Sequence, residues 1–258
     1  MRLRSAPGSR LVYRYYERRL KRDLEAGATP RHIAMIIDGN RRWAREQKLA
    51  SVGHGHRAGA AKLHEFVDWN AEIGVEVVTL YLLSRDNLTG RSGDELHELC
   101  EIIADLTDDL SRKPGRRIRH VGDTRGLPEP LIATLEGAVA RTADQQGIVV
   151  NLAVGYGGRH EVVEAVKRIL VEADGESPAA IAERLTPDLL ADHLSTAGQP
   201  DPDLVIRTSG EQRLSDFMLW QSAHSEFYFV EALGPDLREV DFLRAVRAYG
   251  QRERRFGR

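Results

Sequence analysis

A carboxylate, a glycine and two arginines follow an apolar run near the start of the chain. The run is His32–Ile37, and the polar segment after it reads Asp38, Gly39, Asn40, Arg41 and Arg42. Free N–H groups at the start of a helix, a positive dipole end and two arginines suit a phosphate. A carboxylate there would repel the phosphate unless a divalent cation lay between them, and hard oxygen ligands favour Mg²⁺. We therefore predict a phosphate and magnesium site, the alternative being that Asp38 only caps a helix.

A second apolar run also ends in charged and hydroxyl side chains. Leu204–Arg207 precedes a turn that contains glycine, and Arg213 lies six residues after Arg207. Arginine makes bidentate contacts with phosphate oxygens, and Ser215 adds a hydroxyl donor. Two arginines on one turn predict a diphosphate site, ordinary surface ion pairs being the alternative. Glu226, eleven residues beyond Ser215, precedes another apolar run and is a candidate second metal ligand.

A polar segment with glycine follows a third apolar run, Val75–Leu83. It begins at Ser84, ends at Ser92 and is followed by a stretch of helical period. Loops that border a ligand site commonly carry binding residues. We predict a loop that closes over a substrate, and a plain connection is the alternative.

Apolar runs rich in β-branched residues alternate along the chain with longer stretches of helical period. The predicted strands are His32–Ile37, Val75–Leu83, Arg117–Val121, Ile148–Val154, Leu204–Arg207 and Phe227–Val230. The predicted helices are His56–Ile73, Gly93–Ser111, Glu129–Gln145, Arg159–Glu172, Thr186–Ser195 and Val240–Arg254, with Ala173–Ala180 as a short linker. This alternation is typical of an α/β fold, here a central six-stranded, mainly parallel sheet flanked by helices.

The length of 258 residues predicts a single domain over residues 31–258, preceded by a basic helical extension over residues 1–30. The extension contains the amphipathic stretch Leu11–Leu24, which would pack on the domain, on a partner or on a membrane surface. The single cysteine excludes an intramolecular disulfide, and no apolar stretch approaches the ~20 residues that span a bilayer. We predict a cytoplasmic protein, with peripheral contact to the inner face of the membrane left open.

Several well-known functional motifs are absent from the sequence. No P-loop, zinc H-E-x-x-H or G-x-S-x-G elbow is present, and the glycine-rich segment from Gly155 has His160 where a dinucleotide fingerprint needs glycine. The net charge of −2 argues against a nucleic-acid-binding module, which would need a continuous basic face.

Taken together, the motifs resemble those of the cis-prenyltransferase family, the Z-type isoprenyl diphosphate synthases related to undecaprenyl diphosphate synthase. The family patterns are H-x-A-x-I-x-D-G-N-x-R-W-A, G-H-x-x-G-A, Y-G-G-R, D-L-x-I-R-T-x-G-E-x-R-L-S and W-Q-x-A-x-x-E-x-Y-F. The matching segments are His32 to Ala44, Gly55 to Ala60, Tyr156 to Arg159, Asp203 to Ser215 and Trp220 to Phe229. The resemblance implies the α/β cis-prenyltransferase fold and not the all-helical trans-type fold, whose D-D-x-x-D motif Asp108-Asp109 does not continue.

The resemblance implies a Mg²⁺-dependent transferase that joins isopentenyl diphosphate to an allylic diphosphate. Asp38 and Asn87 would be the catalytic residues, and Asp38 and Glu226 the metal ligands. The allylic diphosphate would contact Gly39, Asn40, Arg41, Arg42, Trp43, His56, Ser84, Arg85, Asp86 and Arg91, and isopentenyl diphosphate would contact Arg207, Arg213, Leu214 and Ser215. Since an amide is scarcely basic, Asn87 would orient a phosphate oxygen or water that takes the proton.

Departures from the long-chain family pattern lie near the site. Leu88 replaces the loop tryptophan, Val52 stands where long-chain members carry an arginine, and Gln212 replaces a histidine. Leu82-Leu83 replaces a small-then-aromatic pair, and a branched side chain in the tunnel would block a growing tail. With the Arg41-Arg42 pair, these residues resemble actinobacterial short-chain members that make (2Z,6E)-farnesyl diphosphate from geranyl diphosphate. The alternatives are a medium- or long-chain product and a Leu82 that belongs only to the core.

The resemblance also implies a homodimer, because the C-terminal Arg254–Gly257 is similar to a family tail that reaches the neighbouring subunit's site. A solvated basic tail is the alternative. A rival of another class is a non-catalytic partner subunit, which would lack the metal aspartate and the phosphate arginines. Asp38, Arg207 and Arg213 are all present, and this favours an enzyme.

Overall fold

Six parallel strands form one sheet in the computed structural model, which describes residue 17 and residues 19–22, 28–90 and 93–252. They are β1 (His32–Ile36), β2 (Val77–Ser84), β3 (Arg116–Val121), β4 (Ile148–Tyr156), β5 (Leu204–Arg207) and β6 (Glu226–Phe229). The spatial order is β3-β4-β2-β1-β5-β6, and every neighbouring pair is parallel. Strand order therefore changes direction around β1, and the carboxyl ends of β2, β1 and β5 meet at one edge, where open α/β sheets bind ligands. The predicted α/β fold with a six-stranded sheet is confirmed.

The described helices include the six predicted stretches, whose ends are shifted by up to four residues. They are α1 (Asn40–Glu46), α2 (Gly53–Glu72), α3 (Arg85–Gly90), α4 (Gly93–Arg112), α5 (Glu129–Arg141), α6 (Gly158–Glu172), α7 (Pro178–Arg184), α8 (Pro187–Asp192) and α9 (Glu239–Gln251). Short 3₁₀ turns occupy Gln221–His224 and Gly234–Asp236.

Two short helices lie where the sequence predicts a loop and a linker. Ser84 Oγ accepts a hydrogen bond from Asn87 N at 3.1 Å, and this serine cap starts α3 in the predicted loop. Ser177 caps α7 in the same way by accepting from Ala180 N, with Pro178 at the first helical position. Capping side chains thus start short helices, of six and seven residues, in two polar segments.

The hydrophobic core lies on both faces of the sheet, because side chains alternate along each strand. On β1, Ile33 and Met35 belong to the large core that also contains Phe66 of α2. Ala34 and Ile36 face the other way, into a smaller cluster with Phe217 and Met218. Burial on both faces explains why β1 reads as a continuous apolar run.

The N-terminal residues that the structure describes pack on α2 and α9. Leu20 is fully buried in the large core, and Lys21 Nζ lies 2.9 Å from Glu72 Oε2 and 2.7 Å from Glu239 Oε1. Most of the predicted stretch Leu11–Leu24, and the C-terminal tail after Arg252, lie outside the described residues. Among the helices of the described ranges, none has the length and apolarity to cross a membrane.

Candidate active site

The turn after β1 positions Asp38 at the carboxyl edge of the sheet. Gly39 has a φ of 93°, and a Cβ there would lie 2.8 Å from Leu233 Cδ2, so the turn needs glycine both for its left-handed backbone and for space. Thr208 Oγ1 accepts from Asp38 N at 2.7 Å and donates to Asp38 O at 2.8 Å. The turn is thereby fastened to the segment after β5.

Asp38 and Arg207 form an ion pair at the ends of neighbouring strands. The β1–β5 register aligns Ile36 with Arg207, so the residues that follow β1 lie beside the end of β5. Arg207 Nη2 lies 2.7 Å from Asp38 Oδ2, and Gly39 N donates to Asp38 Oδ1 at 2.6 Å. Arg207 is 3% exposed and also donates from Nη1 to Ser215 Oγ at 2.7 Å. The predicted carboxylate, arginine and serine are therefore joined in one network.

The turn after β5 carries the second predicted arginine. Arg207 Nη1 donates to the carbonyl of Arg213, whose own guanidinium lies 3.1 Å from Glu211 Oε2. Arg42 Nη2 approaches the other oxygen of Glu211 at 3.4 Å. Leu214 contributes its carbonyl to a turn that ends at Phe217 N. Two exposed arginines from different segments thus converge on one carboxylate beside the Asp38–Arg207 pair.

A cavity of about 650 Å³ connects this polar edge to the interior. Its polar end includes Asp38, Gly39, Asn40, Arg41, Arg42, His56, Ser84, Asp86, Asn87, Arg207 and Ser215. Its apolar end includes Leu63 of α2, Leu82 and Leu83 of β2, and Leu99, Ile102, Ile103 and Leu106 of α4. The α4 residues lie on one face because they recur at helical spacing. The cavity can hold an anionic head at one end and a hydrocarbon tail at the other.

Residues 36–257 match the prenyltransferase family described as undecaprenyl diphosphate synthase. The chain belongs to this family. It is 53% identical over 95% of its length to "(2Z,6E)-farnesyl diphosphate synthase" of Thermobifida fusca, covering 97% of that protein. It is 51% identical over 96% of its length to "Isoprenyl transferase 1" of Corynebacterium diphtheriae, covering 94% of that protein. The chain is therefore a prenyltransferase, and the resemblance seen in the motifs is confirmed.

A solved structure of the same fold is lavandulyl diphosphate synthase from Lavandula x intermedia in complex with dimethylallyl diphosphate. It aligns with a TM-score of 0.82 at 34% identity, covering 89% of this chain and 99% of that one. The parallel-sheet fold of this prenyltransferase is thus the fold of a protein that binds an allylic diphosphate.

Trp43 and Arg85 are predicted site residues whose side chains bind residues outside the cavity in this prenyltransferase. Neither is among the residues that line the cavity. Trp43 Nε1 donates to Asp236 Oδ1 at 2.9 Å, which ties α1 to the 3₁₀ turn after β6. Arg85 Nη1 donates to Asp123 Oδ2 at 2.8 Å, on the far side of the end of β4. Arg91, predicted with them, lies outside the described residues.

Glu226, the predicted second metal ligand, lies at the amino ends of the parallel strands, whereas Asp38 lies at their carboxyl ends. The β5–β6 register aligns Leu204 with Glu226 and Arg207 with Phe229, so Glu226 starts its strand. Its carboxylate is bonded to Arg252. Because all strands are parallel, the start of β6 cannot approach the end of β1, and the fold does not bring Asp38 and Glu226 together within one chain.

Four further residues line the polar end although sequence reasoning gave them no role there. Arg45 follows Arg41 by one helical turn on α1, and that spacing was a usable signal. Arg159 is the second residue of α6, and its backbone N donates at 3.0 Å to Oδ1 of Asp216, which is another of the four. Tyr81 is the fourth, and burial raises the pKa of its phenol above the usual range, so it stays neutral.

Glu95 of α4 reaches the same end of the cavity. Its Oε1 lies 3.4 Å from Arg41 Nε and 3.5 Å from His56 Nε2. The carboxylate orients two groups that the motif comparison assigns to the allylic diphosphate.

The donor set suits a magnesium ion that takes most of its ligands from substrate. Asp38 supplies a hard carboxylate at the cavity, and no cluster of three or more His, Cys, Asp or Glu able to hold a metal occurs among the residues described. Mg²⁺ is commonly held by one or two carboxylates together with waters and substrate phosphates. The residues present therefore fit magnesium better than a fully protein-ligated metal.

Proposed function

We propose that this prenyltransferase condenses isopentenyl diphosphate with geranyl diphosphate to form (2Z,6E)-farnesyl diphosphate and release diphosphate. The observation that carries the proposal is one continuous cavity of about 650 Å³, with arginines and Asp38 at one end and leucines and isoleucines at the other. An allylic diphosphate has the same distribution of charge and hydrocarbon.

The allylic diphosphate is assigned to the end of the cavity formed by α1. Arg41 and Arg42 supply guanidinium groups, and Gly39 and Asn40 bring backbone close to the ligand. His56 lies at the same end, 7% exposed, beside Glu95. The hydrocarbon tail then runs between β2 and α4.

Isopentenyl diphosphate is assigned to the other side of Asp38. Arg207 and Ser215 already share a hydrogen bond of 2.7 Å, and both can turn their donors to phosphate oxygens. Arg213 is exposed and reaches the same place from the turn after β5. A diphosphate there would compete with Asp38 for the Arg207 guanidinium.

Bond formation begins as the allylic C1–O bond breaks and its electron pair leaves with the diphosphate. Magnesium, when bound near Asp38, would neutralise charge on that leaving diphosphate. The isopentenyl double bond attacks the electron-poor C1, and loss of a C2 proton forms the cis double bond. Asn87 lines the cavity and would orient the phosphate oxygen or water that accepts this proton. Arg41 and Arg42 stabilise the departing anion.

The short product is supported by the leucines of β2 and by a relative. Leu82 and Leu83 both line the cavity, and a branched side chain there occupies space that a longer tail would need. The Thermobifida fusca relative, named for (2Z,6E)-farnesyl diphosphate, is 53% identical. A homodimer rests on the family resemblance, and light scattering on the purified full chain measures it. A cytoplasmic site of action stays a prediction from the sequence.

The test incubates purified full-length protein with Mg²⁺, isopentenyl diphosphate and either geranyl or (E,E)-farnesyl diphosphate, with EDTA as control. Product length and double-bond geometry are then resolved by chromatography and NMR. One cis addition to geranyl diphosphate is expected. A ladder of long products would overturn the short product, and no product with any primer would overturn the proposed reaction in favour of a non-catalytic partner subunit.

A further inference from the structure

Arg85 joins the helix that carries Asn87 to a carboxylate outside the cavity. It is the first residue of α3, and its Nη1 donates to Asp123 Oδ2 at 2.8 Å. Asp123 follows β3, so the ion pair spans the ends of β2, β4 and β3. The cavity-facing residues Asp86 and Asn87 come directly after Arg85.

Asp123 is itself held firmly in place. Arg125 donates to it from its backbone N at 2.9 Å and from Nε at 3.0 and 2.8 Å, and His160 Nε2 lies 2.9 Å from Oδ2. The hydrogen bonds from Arg125 hold the pKa of the Asp123 carboxyl far below its usual range. The Asp123 side chain is 14% exposed. A fixed, ionised carboxylate is a suitable anchor for an arginine.

The stem of Arg85 passes beside Gly157, which lies between β4 and α6. A Cβ at Gly157 would lie 3.7 Å from Arg85 Cδ and 2.9 Å from Asp216 Oδ2. Asp216 lines the cavity, whereas Arg85 and its partner Asp123 do not. The geometry directs the guanidinium away from the substrate end.

A helix as short as α3 does not hold its position by itself. It has six residues, whereas isolated helices shorter than about 12–15 residues are marginal in water. Ser84 caps its start, and the Arg85–Asp123 ion pair is its charged connection to the next strands.

We propose that Asp123 is a positioning residue that acts through Arg85 to hold α3 with Asn87 facing the cavity. Arg85 is then a tether and not a diphosphate ligand. The inference rests on the proposed function only for its kinetic readout, because the ordering of α3 is measurable without turnover.

The kinetic test is a double-mutant cycle of Arg85→Met, Asp123→Asn and the double variant in the full-length protein. We expect each single change to lower kcat by about 10- to 100-fold, as small misplacements of catalytic groups do, with KM for the allylic diphosphate changed less than threefold. The double variant is expected to be no slower than the slower single variant, because both remove one contact. Arg85→Lys should recover part of kcat. A higher allylic KM in Arg85→Met with normal Asp123→Asn, or additive losses, would overturn the tether.

Arg184→Met is the matched control, since it removes an arginine from an ion pair, with Glu176, that involves neither α3 nor Asp123. Its kcat is expected to stay within threefold of the unaltered protein. Hydrogen exchange provides the readout independent of turnover. Amides of residues 85–90 should exchange at least tenfold faster in Arg85→Met, at an unchanged thermal midpoint.

The two proposals fail in different ways. If the unaltered protein makes no product, the proposed function fails and the exchange of α3 alone decides the tether. If Asp123→Asn does not fold, Arg85→Met, at a half-buried position, carries the test. Unchanged exchange of α3 in Arg85→Met would contradict the tether in either case.

Discussion

Arg207 Nη2 donates to Asp38 Oδ2 at 2.7 Å, so the arginine proposed for isopentenyl diphosphate and the aspartate proposed for magnesium are bound to each other. Arg207 is 3% exposed, and a buried guanidinium needs a negative partner. Asp38 supplies that partner when no diphosphate is present. The same carboxylate thus stabilises the fold and is also the group that we propose for magnesium binding.

Asp38→Asn should lower kcat by about 100-fold or more, since it removes the carboxylate proposed to hold magnesium beside the leaving diphosphate. It should also destabilise the protein by about 1–3 kcal/mol, because Arg207 loses its ionised acceptor. Initial rates against Mg²⁺ concentration and urea unfolding measure both effects. Asp105→Asn, at a 77% exposed side chain on α4, is the control and should change neither. An Asp38→Asn variant with normal kcat would remove Asp38 from the mechanism.

Leu82→Ala should lengthen the products by at least one isoprene unit, because it widens the cavity at β2. Product chromatography with geranyl diphosphate as primer measures the shift. Leu80→Ala, two residues earlier on the same face of β2 and fully buried outside the cavity, is the matched control. It should cost about 2–5 kcal/mol of stability without altering product length. An unchanged product distribution in Leu82→Ala would mean that the leucine only fills the core.

Gly39→Ala should destabilise the turn that carries Asp38. The residue has a φ of 93°, and a Cβ would lie 2.8 Å from Leu233 Cδ2 and 3.0 Å from Ser209 Cβ. A left-handed non-glycine residue costs about 1–3 kcal/mol, and urea unfolding measures the loss. Gly137→Ala is the control, because Gly137 lies inside α5 with nothing within 4 Å of its Cβ position. That variant should be neutral or more stable by about 0.5–1 kcal/mol. Equal stability of the two variants would contradict the argument.

His32 should make stability depend on pH below neutrality. Burial lowers the pKa of His32 to about 4, and its ring nitrogens lie 2.7 Å from Pro200 O and 2.8 Å from Thr79 Oγ1. Between an unfolded pKa of ~6.5 and the folded value, only the unfolded chain binds the proton, so stability falls as pH decreases through that interval. The contribution is on the order of 3 kcal/mol.

The measurement compares urea unfolding at pH 7.5 and pH 5 for the unaltered chain and His32→Asn. The variant should have a smaller difference between the two pH values. His97→Asn, at a 73% exposed histidine, should keep the full difference. If the difference is the same in His32→Asn, another group causes the acid sensitivity.

The amino-acid sequence by itself determined the six strands, the longer helices and the strand ends at which charged residues stand. β-branched runs placed β1 and β5 to within one residue, and therefore placed Asp38 and Arg207 after or at strand ends. These are local properties, because strand period and turn residues depend on neighbours along the chain. The motifs that identified the family are local in the same sense, because each is a short run of consecutive residues.

Only the tertiary structure decided where individual side chains of those motifs point. Arg85 belongs to a motif segment but binds Asp123, and Glu226 stands at the start of β6. Strand order and register come from packing between residues far apart in the chain, such as Ile36 beside Arg207. The spacing of residues along the sequence does not show which residue of another strand or helix a long side chain will contact. The contacts of Arg85 and Glu226 therefore became visible only once the six strands were in order.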